Sequence, residues 1–227
     1  MDAERYAIAA SLLFVFALLL TLVVRSAIQF RQTRSKDQII WGSGLALAAA
    51  AMAVEAIVYW GVPPAPYLPA YVFLSAAIVG VLSLGATRVL RSPRLELAYR
   101  AWILGTCALV GALCAVTPLP ESMVTAGVIT GNPPLSLLLA STLVTGPATV
   151  VLLGASYLSL RRTWRWHTVL MIAGALILGA GGVLYIATFP VALYYAEFVG
   201  VLLLFLGLVS LPTTHATPRR TGIPATP

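Results

Sequence analysis

The chain is short of charge. Only 9% of its 227 residues are Asp, Glu, Lys or Arg, where a soluble domain carries about 25%. So few charges cannot cover the surface of a water-soluble fold of this length. Lysine is nearly missing, with Lys36 the single example. Histidine is limited to His167 and His215, and cysteine to Cys107 and Cys114.

Each shortage removes a class of chemistry. A retinal-type Schiff base needs a lysine in the last helix, and none lies there. Haem held inside a bundle needs axial histidines at membrane depth. His167 falls at a predicted helix boundary and His215 in the C-terminal tail. No His, Cys, Asp and Glu cluster has zinc-site spacing, and no H-E-x-x-H, P-loop or dinucleotide fingerprint occurs. The run Gly179-Ala180-Gly181-Gly182 lies inside an apolar stretch and reads as helix packing. Cys107 and Cys114 fall on one helix, about 10 Å apart along its axis, too far for a disulfide. These absences point away from an enzyme and predict neither cofactor nor metal.

What the chain has in quantity is apolar sequence, 60% of it, in long runs. About 20 apolar residues span a bilayer as a helix. Breaks at charge, Pro and Gly predict an all-α bundle of seven transmembrane helices. They cover about 5–29, 38–61, 70–91, 98–117, 135–160, 167–189 and 193–211. The transmembrane domain is therefore 1–211. A Pro-rich tail, 212–227, is expected to be disordered. The first run follows the acidic start Met1-Asp2-Ala3-Glu4 and lacks a signal peptide's basic start, so it reads as a retained helix.

The basic residues set the orientation. Formal net charge is +7, which in a soluble protein would suggest nucleic acid. Here every Lys and Arg except Arg5 clusters at loops 1–2, 3–4 and 5–6 or in the tail. Such loops face the cytoplasm. This predicts an outside N-terminus, a cytoplasmic C-terminus, a multi-pass protein of the plasma (inner) membrane and no nucleic-acid partner. High Ala and Gly, with Arg over Lys, fit a GC-rich prokaryotic source.

Two carboxylates, Glu55 and Glu197, fall within predicted spans. An ionisable group at that depth is a functional candidate by default. Both lie toward the outer side, at a depth where no Lys or Arg is predicted to pair with them. Each must be protonated, hydrogen-bonded to Tyr, Ser or Thr, or open to an outward cavity. Tyr59, Tyr71, Tyr185, Tyr194 and Tyr195 are the candidate partners at that level. Together they predict an outward-facing ligand pocket; the competing reading is that both acids simply reach headgroups and water. Pro147, after Gly146, is a candidate hinge or a packing kink in helix 5. Arg161, Arg162, Trp164, Arg165 and Trp166 combine cations and indoles suited to lipid headgroups, and ordinary interfacial anchoring explains them equally.

Three functions fit. The first is a non-enzymatic sensor or ligand-binding module for a small molecule, with a separate protein partner carrying its output. The second is a small transporter or channel for a cation, proton or amphipathic solute. Its support is the two acids, the Pro147 break and a faint repeat of Trp41, Trp102 and Trp166 near helix starts. The third is an accessory subunit of a larger membrane complex. The outer acids and tyrosines place the first ahead.

Overall fold

A computed structural model describes residues 2–34, 36–87, 92–125, 127–129 and 133–163, with scattered positions at 166, 169, 170, 173, 174, 177, 198–203 and 206. Five helices account for most of it. They are α1 (Asp2–Thr33), α2 (Lys36–Tyr59), α3 (Leu68–Leu84), α4 (Pro93–Val116) and α5 (Leu135–Thr163).

Local chemistry sets where they stop and start. Beyond α1, Arg34 takes a left-handed φ of 53°. Its N–H donates to Phe30 O at 2.8 Å, and its guanidinium lies 5.9 Å from the Phe30 ring centroid. Beyond α2, Gly61 has φ 90°, a conformation that is cheap only without a Cβ. Pro69 and Pro93 occupy the first turns of α3 and α4, where the missing N–H costs no helical bond.

Observed boundaries depart from the apolar runs. The run over 98–117 understates α4, which starts at Pro93 because proline at a first turn opens a helix rather than breaking one. The run over 70–91 overstates α3, which ends at Leu84. There the chain turns at Gly85, whose missing side chain leaves room for Trp41: a Cβ would stand 2.7 Å from Trp41 Nε1. Trp41, one of the repeated tryptophans near helix starts, is thus half-buried against the α3 end.

Four helices are long and apolar enough to cross a membrane, with spans Ile8–Gln32, Gln38–Tyr59, Pro93–Val116 and Leu135–Ala155. The shorter α3, with 17 residues, is apolar too and sits at the low end of spanning length. Large apolar side chains such as Phe14, Leu104, Leu139 and Val150 point outward, as lipid contact requires. The sixth and seventh predicted helices fall mostly outside the described residues. Their described positions are helical.

Small residues let these helices close up. α3 packs against α2, α4 and α5, and α1 packs against α2. At Gly80 of α3 a Cβ would meet Val144 Cγ1 at 2.9 Å and Ile103 Cγ2 at 3.2 Å. Three helices therefore meet at one missing side chain. At Gly44 of α2 a Cβ would meet Leu82 Cδ2 at 2.5 Å.

Two buried clusters result. One joins Val58, Leu68, Tyr71, Val72, Val110, Met123, Ile129, Leu137 and Val144. The other joins α1 and α2 through Leu12, Val15, Leu19, Leu45, Ala49 and Met52, with Val201 from near the C-terminus. Phe198 adds a tilted ring contact with Phe14, centroids 5.2 Å apart.

The connection between α4 and α5 holds structure of its own. A 3-10 turn at Glu121–Met123 leads into β1 (Val124–Thr125) and β2 (Val128–Ile129). These pair antiparallel, Val124 opposite Ile129 and Thr125 opposite Val128. Gly127, at φ 82°, makes the turn. β2 packs on α2, and Met123 and Ile129 are buried.

Candidate functional site

The site builds outward from Glu55. On α2, Ala51, Glu55 and Val58 recur at four and three residues, which puts them on one face. All three are buried, and Val58 joins the cluster with Leu68, Tyr71, Met123 and Ile129. Glu55 has a relative exposure of 0%. It lies one turn from the α2 end at Tyr59, about 6 Å along the axis.

The hairpin folds back onto α2 at this end. A Cβ on Gly127 would stand 3.4 Å from Tyr59 O and 3.6 Å from Tyr59 Cα, so the turn lies directly on the last residue of α2.

The expected tyrosines divide. Tyr71 is buried in the Val58 cluster beside the hairpin residues. Tyr59, half-buried, leans on the other cluster, with Met52 and Phe198. None of Glu55, Tyr59 and Tyr71 is without an interaction partner. Glu197, Tyr185, Tyr194 and Tyr195 lie outside the described residues.

At the opposite end, sequence reasoning missed a polar network between α3 and α4. Tyr99 Oη donates to Ser83 Oγ at 2.6 Å, and Ser83 Oγ donates to Gly80 O at 2.6 Å. Thr87 Oγ1 donates to Leu84 O at 3.1 Å and lies 3.3 Å from Glu96 Oε1. Glu96 also pairs with Arg100 one turn on. Ser83 and Thr87 are buried. The available signal was spacing: Ser83 and Thr87 share a face of the chain leaving α3, and Glu96 and Tyr99 share a face of α4. A similar bond ties α1 to α2, where Ser26 Oγ donates to Gln38 O at 2.7 Å. These bonds tie neighbouring helices together, which suits a fastening role.

Pro147 lies inside α5. Having no N–H, it cannot serve Leu143 O. Trp102 Nε1 donates to that oxygen at 3.0 Å. Trp102, one of the three tryptophans of the faint repeat, is thereby committed to α5. Of the expected headgroup contacts, Arg161 and Trp166 are exposed. Arg162 belongs to α5, and its side chain, with Trp164 and Arg165, lies outside the described residues. Among the described residues no three His, Cys, Asp or Glu gather to hold a metal. Cys107 and Cys114 are free thiols.

Between α3 and α4, Pro69, Phe73, Gly111, Cys114 and Ala115 line a shallow apolar depression on the outer face of the bundle. It offers no polar side chain to orient a ligand.

Comparison with protein-family models, curated proteins and solved structures returned no match.

Proposed function

We propose that this chain is a non-enzymatic sensor or ligand-binding module of the plasma membrane, built on seven helices with its N-terminus outside and its C-terminus in the cytoplasm. The observation that carries this reading is Glu55, a carboxyl side chain with no exposed surface at one end of an apolar span. Burying such a group costs several kcal/mol unless it is compensated. A helix that served only as a spacer would gain stability from Leu there.

In this reading Glu55 and Tyr71 form the floor of an occluded site that the hairpin closes. Glu197, Tyr185, Tyr194 and Tyr195 are proposed to complete it from the last two helices, with Tyr59 at its margin. A cation, a proton or a small amphipathic molecule suits a carboxyl and phenols in an apolar surround. Arg161, Arg162, Trp164, Arg165 and Trp166 are proposed to hold the cytoplasmic end against anionic headgroups. A cytoplasmic partner protein would carry the signal.

A transporter is the second reading, favoured by Gly146 and Pro147 inside α5, since weakened helices recur where solutes cross.

Native mass spectrometry of the full chain in mild detergent separates the readings, run on wild type and on Glu55→Gln. A small molecule bound to wild type and lost from the variant supports the sensor reading. A protein partner held equally by both replaces it with an accessory-subunit role. Two empty monomers move the case to transport, tested by flux into liposomes with and without Glu55.

A further inference from the structure

Two polar groups near the middle of the bundle have lost their ordinary partners. The carbonyl of Leu143 would accept from the N–H four residues on, but that residue is Pro147. The indole N–H of Trp102 belongs to a 48% exposed side chain on α4, a helix apolar enough to span the membrane. Hydrocarbon supplies neither an acceptor for the indole nor a donor for the carbonyl. The structure joins the two, Trp102 Nε1 to Leu143 O at 3.0 Å, across 41 residues of sequence.

The surrounding stretch of α5 is weak as a helix. Ser141 and Thr142 turn their hydroxyls back onto Leu138 O, at 2.9 and 2.8 Å, a pattern that loosens and bends helices. Gly146 costs helix stability of about 1 kcal/mol relative to Ala. Packing does not require it: a Cβ there would meet nothing within 4 Å. Ser141, Thr142, Gly146 and Pro147 therefore all favour a pivot.

We propose that Trp102 is the latch of this pivot: its indole N–H holds the carbonyl freed by Pro147, and so fixes α5 against α4. Leu143 belongs to the half of α5 that precedes Pro147, so the bond pins that half to α4, and swinging it away from α4 breaks the bond. Trp102 is a positioning residue in this scheme. The device stands independently of what the Glu55 site binds.

A double-mutant cycle on the full chain in bicelles tests it, using Trp102→Phe, Pro147→Ala and the pair. Phe keeps most of the ring area and loses the donor. Pro147→Ala restores a backbone N–H for Leu143. In the wild-type background Trp102→Phe is expected to raise the unfolding constant about threefold to twentyfold, the range measured for interhelical hydrogen bonds in membranes. In the Pro147→Ala background the same change is expected to cost less than about twofold, because the carbonyl has its helical donor back. Equal costs in both backgrounds would overturn the latch and leave Trp102 as packing. Indole NMR provides a second reading that needs no unfolding. The Trp102 N–H resonance is expected downfield of Trp60 and Trp166, and to move in Pro147→Ala while theirs stay. A Trp102 signal indifferent to residue 147 would also overturn the proposal.

Discussion

An ideal Cβ on Gly80 comes within 2.9 Å of Val144 and 3.2 Å of Ile103, both fully buried. Val and Ile are stiff at χ1, so neither can swing aside. Gly80→Ala is expected to destabilise the protein by about 1–3 kcal/mol, the usual cost of overpacking. Gly105 on α4 is the control, since a Cβ there meets nothing within 4 Å. Gly105→Ala is expected to be neutral or stabilising by up to ~1 kcal/mol through helix propensity. Thermal unfolding of the two variants in one detergent compares them directly. Glu55 divides differently. Its buried side chain has a partner, and Glu55→Ala leaves that partner unserved, at about 1–3 kcal/mol. Glu55→Gln retains shape and hydrogen-bonding capacity and is expected to recover most of the loss. If both variants melt alike, the carboxyl makes no specific contact.

At the scale of elements, the hairpin is the proposed cover of the Glu55 site. Gly127 turns it at φ 82°, where a side chain costs about 1–2 kcal/mol. Gly127→Val is therefore expected to open the cover about tenfold more often. Glu55→Cys, in a background with Cys107 and Cys114 replaced by Ala, reports this through its labelling rate by a small water-soluble thiol reagent. An unchanged rate would mean that the hairpin does not limit access. How much of this was legible depends on the range of the interactions involved. The helices were legible because an apolar run of spanning length has few other fates. Their ends were less so: Pro93 opens α4 although proline elsewhere stops a helix. The hairpin had a local signal in β-branched Val124-Thr125 and Val128-Ile129 around a two-residue turn ending in Gly127, hidden among the prolines of the loop. The bond from Trp102 to Leu143 had none, because it joins residues 41 apart. Glu55 was legible as a candidate. Its burial was not, since burial depends on tertiary packing that no local pattern records.

For the whole molecule, the arginine-rich connections give the orientation a direct test. Val62→Cys and Arg34→Cys are both exposed turn positions at opposite ends of α2. With the native cysteines replaced, Val62→Cys is expected to react with an impermeant maleimide on intact cells. Arg34→Cys is expected to react only after permeabilisation. The reverse pattern would invert the topology and place the hairpin in the cytoplasm. The two buried clusters also differ in how far apart their members are made. The one under the hairpin draws on residues 58–144. The one along α1 begins at Leu12 and is completed by Val201, with Phe198 against Phe14. Of the five helices, the one made first is thus among the last to be finished. During synthesis Phe14 meets its ring partner only once Phe198 has been made. A chain truncated before residue 198 would lose that contact together with the share Val201 takes in the α1 cluster.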